Sequence, residues 1–143
     1  MNIKKRIYTA LLASTVLIGA LATTALANNC SDWDWSCKAN QSINTSPRPK
    51  TDTTSLYCKV TRGNLGGGRY VSAKPIYYPN KTNYQNNYQV DGYSSKTFYS
   101  HGSAYIPSLI YERHGWCYAG FRLYTFAQGT GTEAGGKWSP DSI

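Results

Sequence analysis

Trp116-Cys117-Tyr118-Ala119-Gly120-Phe121-Arg122-Leu123 is the stretch on which the fold turns. Cys117, Ala119, Phe121 and Leu123 share one parity, and Trp116, Tyr118 and Arg122 take the other. A period of two puts successive side chains on opposite faces of an extended strand, with the apolar set turned to a core. Leu56-Tyr57-Cys58-Lys59-Val60 repeats the pattern, with Leu56, Cys58 and Val60 on the apolar side. Two distant segments thus carry a cysteine on an inward face. All four cysteines (Cys30, Cys37, Cys58 and Cys117) follow residue 27. Four cysteines admit three pairings. The shared inward faces favour a buried Cys58–Cys117 bridge, which leaves Cys30–Cys37 as a local clip. Closing the longer loop would contribute on the order of 4 kcal/mol. A zinc site does not fit: no two-residue ligand spacing exists, and the chain has 2 histidines.

Strand patterns extend outward from these two segments. The residues 55–62, 69–78, 84–90, 93–99, 103–113, 116–127 and 132–138 are rich in Tyr, Val, Ile, Thr and Phe, which suit half-buried pleated surfaces. Turn residues separate them: Gly63 to Gly68, Pro79-Asn80, Asp91-Gly92, His101-Gly102, His114-Gly115 and Gly129 to Gly131. Asp91-Gly92 reads as a hairpin turn, and Glu112 to Trp116 as a second tight return. Pro75 and Pro107 are expected at edge strands or bulges. The Gly63–Gly68 run lacks the lysine and the helix start of a phosphate loop, and reads as a hairpin. No segment keeps a helical period. The fold class expected is all-β, a small antiparallel β-sandwich or barrel following a cleaved helical signal peptide.

The leader is read from residues 1–27. Lys4, Lys5 and Arg6 form a basic start, Leu11 to Leu21 an apolar centre, and Ala25-Leu26-Ala27 a small-x-small cleavage site. Thr15, Gly19, Thr23 and Thr24 interrupt the apolar run, which argues against a spanning helix. Cleavage after Ala27 would release a secreted, extracellular protein of residues 28–143 with no stable membrane anchor. Residues 28–54 form a polar N-terminal segment holding the Cys30–Cys37 clip, with 42–54 as a linker or extended edge. Residues 55–143 form the β-rich domain. The chain has 15 Lys and Arg against 7 Asp and Glu. The leader holds three of those bases and no acid, so the remainder carries a net charge of +5. A modest positive field suits anionic surfaces such as cell-wall polymers.

Thirteen tyrosines are the anomaly in composition. Tyrosine pairs across strands, and its flat ring with a polar tip also stacks on sugars. Those beside a base are the binding candidates: Arg69 with Tyr70, and Arg122 with Tyr124. The one catalytic-looking set is His101, Glu112 and His114, with Arg113 beside them. Such groups could serve a small secreted ribonuclease, one residue taking and another giving a proton. Nothing in their spacing fixes that geometry, and a histidine at a turn is usually an exposed polar residue. No cofactor motif is present.

Lys38-Ala39-Asn40-Gln41, the Ser46–Lys50 basic turn and the ending Gly136-Lys137-Trp138-Ser139-Pro140-Asp141 give the chain a further feature. In these it is similar to small exported proteins of Bacillota that carry a domain of unknown function. That resemblance implies a secreted β-rich domain and no known activity. The expectation is a non-enzymatic binding protein at the cell envelope or an extracellular surface. Its expected partner is a cell-wall polymer, polysaccharide or other anionic surface, rather than nucleic acid. The alternatives are a bacteriocin-like antimicrobial protein and the small ribonuclease.

Overall fold

Cys117 to Phe126 forms a ten-residue strand, the longest among the described residues. The computed structural model describes residues 31–127 and 133–141. The expected leader and Cys30 lie outside the described residues. In chain order the elements are β1 (Trp33–Cys37), β2 (Gln41–Asn44), β3 (Arg48–Lys50), β4 (Leu56–Arg62), β5 (Tyr70–Tyr78), β6 (Gln89–Val90), β7 (Lys96–Phe98), β8 (Gly102–Ile106), α1 (Ile110–His114), β9 (Cys117–Phe126) and β10 (Ala134–Ser139).

The strands form two antiparallel sheets. One has the order β1-β10-β4-β8. The other runs β2-β9-β5-β6, with β3 also on β9 and β7 also on β5. The alternation in the sequence explains the division of faces. Leu56, Cys58, Val60, Ile106, Ala134 and Trp138 face inward from the first sheet; Val71, Ala73, Phe98, Cys117, Ala119, Phe121 and Leu123 face them from the second. The Phe121 and Trp138 rings meet edge to face at 6.0 Å across the gap. Each such aliphatic or Phe side chain, fully removed from water, contributes about 1.5–3 kcal/mol. The architecture is all-β with antiparallel sheets, within the sandwich-or-barrel class expected. The polar segment before residue 55 supplies β1 to one sheet and β2 and β3 to the other.

The structure corrects several local readings. Cys37, Cys58 and Cys117 all carry free thiols, so no sulfur staple joins Cys58 to Cys117, and Cys37 is not clipped. Parity placed both partners on inward faces, as observed, but parity does not set height along a strand. Cys58 lies mid-strand between Trp138 and Ala104, whereas Cys117 begins β9 opposite Lys50. Burial pushes the Cys58 thiol up to about 12 and the Cys117 thiol up to about 11. The Cys37 thiol donates to the Gln41 carbonyl at 3.2 Å.

Residues 107–113 do not extend β8. Pro107 ends it, and α1 follows, with Arg113 N–H donating to the Leu109 carbonyl at 3.0 Å and Ile110 fully buried. Asp91-Gly92 is no hairpin either. β6 and β7 both pair with β5, at Ile76–Tyr77 and at Val71–Ala73, so the chain runs on along one edge. Pro75 lies in the central strand β5, where its missing N–H coincides with the break between those two pairings. The Gly63–Gly68 link is a tight turn closed by paired hydrogen bonds between Gly66 and Arg69, each 3.1 Å. Gly67 (φ 58°) and Gly68 (φ 85°) take the left-handed conformation that this turn requires. It carries the chain from one sheet to the other.

Candidate functional site

The outward residues of β5 are Tyr70, Ser72 and Lys74, and those of β9 are Arg122 and Tyr124. Register aligns them. Ser42, Tyr124, Ser72 and Thr97 form a continuous row across β2, β9, β5 and β7. One step along, Lys74 lies directly opposite Arg122. With Tyr99 and Val90 these side chains line an open groove of about 550 Å³ on the outer face of the larger sheet.

Three of the four binding candidates meet there: Tyr70, Arg122 and Tyr124. The fourth, Arg69, is tied into the glycine turn through its backbone and is not among the lining residues. Tyr70 is the hub of an aromatic platform. Its ring lies 5.8 Å from Tyr99, 6.3 Å from Tyr124 and 5.2 Å from Phe126, the last stacked at 20°. Arg122 is held in place: it donates to the Asn44 carboxamide oxygen at 3.3 Å and to the Tyr88 hydroxyl, and lies over the Tyr88 ring. Buried Asn44 is itself fixed by donation to the Gln85 carbonyl at 3.1 Å.

Like charges directly opposite on neighbouring strands repel. Lys74 and Arg122 stand so, and no acidic residue is among the described residues that line the groove. An anion between them would relieve that repulsion. Hydroxyls from Ser42, Ser72, Thr97 and the tyrosines surround the pair. The surface can therefore stack flat rings, hydrogen-bond hydroxyls and hold negative charge. Sequence reading missed Ser42, Ser72, Lys74, Val90, Thr97 and Tyr99. Ser72 and Lys74 share Tyr70's parity and were legible in principle. The others join only through strand pairing.

The catalytic-looking set is not assembled. His101 donates to the Gly63 carbonyl at 2.8 Å, beside the turn that leads into β5. His114 stacks on Tyr77, with centroids 3.8 Å apart, near the other end of β5. From Tyr70 to Tyr77 the strand runs roughly 20 Å, at about 3.3 Å per residue. Glu112 lies exposed on α1. A general acid and base must both reach one substrate; the two histidines contact residues near opposite ends of β5. Among the described residues no group of three or more His, Cys, Asp or Glu could hold a metal ion, and no helix is long and apolar enough to cross a membrane.

No curated protein and no solved structure matches the chain. A family model described as "Protein of unknown function (DUF2712)" matches residues 23–142, which takes in every element of both sheets and the whole groove. The chain belongs to the DUF2712 family.

Proposed function

We propose that this protein is a non-enzymatic binder of anionic polysaccharide, acting outside the cell on phosphate- or carboxylate-bearing cell-wall polymers, and that the groove on the larger sheet is its binding site. The leader pattern of residues 1–27 supports export. The observation that carries the reading is the Lys74–Arg122 pair, set beside a tyrosine platform in a groove with no acid among its described lining residues. Tyrosine faces stack on sugar rings, the hydroxyl row bonds sugar hydroxyls, and the two cations select for charge. The open, shallow shape suits a polymer lying across strands better than a small ligand, which needs enclosure on most sides.

The test uses insoluble cell walls before and after acid stripping of their anionic polymers, with a soluble polyuronate and a neutral glucan as competitors. Retention on intact walls, loss on stripped walls and competition by the polyuronate alone are expected. A hydrogen bond to a charged group contributes about 1.5–3 kcal/mol, so Arg122→Ala should weaken retention about tenfold or more. Equal retention on stripped walls, or an Arg122→Ala protein that binds as tightly as the parent, would overturn the reading.

A further inference from the structure

At the end of β9 away from the groove's tyrosines, the last residue of β3 meets the segment after β10. Lys50 and Asp141 are both sealed from solvent, with side chains 1% and 0% exposed, and their Nζ and Oδ1 atoms lie 2.6 Å apart. We propose that Lys50 and Asp141 are an autocatalytic cross-linking site, whose side chains condense into an intramolecular amide bond.

A dry ion pair is an expensive arrangement, because its mutual attraction must offset the loss of two hydration shells. Condensation removes both charges. The contact holds the amine nitrogen 2.6 Å from an oxygen bonded to the carbon it would attack, with both side chains fixed by further hydrogen bonds. Such positioning is equivalent to effective concentrations of roughly 10⁵ M or more. Exclusion of solvent then works against the reverse hydrolysis.

The neighbours supply the remaining parts. Asp52 Oδ1 lies 3.2 Å from Lys50 Nζ, with a side chain 31% exposed and thus open to water for the departing molecule. Burial works to raise the Asp52 carboxyl, but hydrogen bonds from the Thr54 hydroxyl and N–H and from Lys50 outweigh it. The group is held below its ordinary value and stays ionised, with its Oδ1 within reach of the amine. The Thr54 carbonyl accepts from Nζ at 2.6 Å and fixes the amine from a second side. Thr51 donates to Asp141 Oδ2 from its hydroxyl at 2.8 Å and from its N–H at 3.3 Å. These donors meet the oxygen that gains charge when the carbon becomes tetrahedral. Arg48 lies within the field of the same carboxylate.

The step balances without an oxidant or co-reactant. A proton passes from Nζ to Oδ1, giving an amine and a carboxylic acid. The nitrogen lone pair forms the N–Cγ bond, and Oδ2 takes up the negative charge against Thr51. Asp52 removes a second proton from the nitrogen and returns it to Oδ1. The Cγ–Oδ1 bond then breaks and Oδ1 leaves as water, while Oδ2 recovers the carbonyl. One amide and one water result.

The experiment is intact-mass spectrometry of the purified full chain, unfolded and reduced, with its N-terminus sequenced so that any processing is counted. The expected mass is one water below the sum of the residues, with a branched peptide joining the Lys50 and Asp141 segments after proteolysis. Lys50→Arg should restore the full mass. Asp141→Asn should lose one ammonia in place of water, and Asp52→Asn should slow the reaction. A parent protein of full mass after prolonged incubation at neutral pH would overturn the proposal, whatever the variants do. So would a water loss that maps to any other pair.

Discussion

At Gly136 an added Cβ would stand 1.8 Å from the Lys59 carbonyl oxygen and 3.0 Å from the Val60 Cα. Both are backbone atoms of the neighbouring strand, so nothing flexible can move aside. The position lies in β10, the strand held between β1 and β4, beside a register shift at Gly135–Gly136. Gly136→Ala should therefore cost about 3 kcal/mol, at the upper end of overpacking effects. Urea denaturation checks this through a lower midpoint at unchanged slope. In the sequence the pair Gly135-Gly136 gives only a weak strand signal, because glycine carries no side chain whose parity could be read. The cysteines mark the same boundary from the other side. Their faces were legible at once from alternation. Their separation was not, since it depends on where β4 and β9 start relative to each other across the core.

Elements with clean alternation (β4, β5 and β9) fall within a residue or two of the expected spans, and β10 does so despite its weaker signal. The failures share a physical cause. Between residues 84 and 114 the backbone is organised by side chains distant in sequence. The Asp91 side chain, 1% exposed, accepts from the Leu109 N–H at 3.1 Å and from the Arg113 guanidinium at 3.1 Å. A residue that looks like half of a hairpin turn is thus the anchor for a helix that begins beyond a proline. Asp91→Ala removes both bonds and leaves the Leu109 N–H without that acceptor. The expected cost is about 1–3 kcal/mol. Amide hydrogen exchange should show it as faster exchange confined to α1 and the β6–β7 segment, with β4 and β10 protected as before.

For the molecule as a whole, the inward faces were legible and the outward groove was only partly so. A core needs parity alone, whereas the groove needs the register of five strands, and no local pattern encodes that β2 and β5 both flank β9. The core's titratable groups set the alkaline limit of the fold. Cys58 ionises at about 12 when folded and near 9.0 when unfolded, and Cys117 at about 11. Burial raises Tyr78 as well. In each case the unfolded chain gives up its proton first. Stability is therefore full below about pH 9 and falls as pH climbs towards 11 and 12, by about 1.4 kcal/mol per pH unit for each such group. Equilibrium unfolding measured across pH 8–11 should show this decline, and Cys58→Ala should flatten it by one proton's worth. A slope unchanged in that variant would mean that Cys58 does not ionise on unfolding.

The pairing of β1 with β10 places Trp33 beside Trp138, so the first described strand and the last lie antiparallel as neighbours. Tension drawn through those two ends would pull at right angles to the ladder and load its hydrogen bonds singly, as in opening a zip. Strands loaded along their length share the force among all their bonds; these two cannot. A molecule built this way is mechanically soft at its seam, unless something beyond hydrogen bonding fastens the segment after β10 to the body.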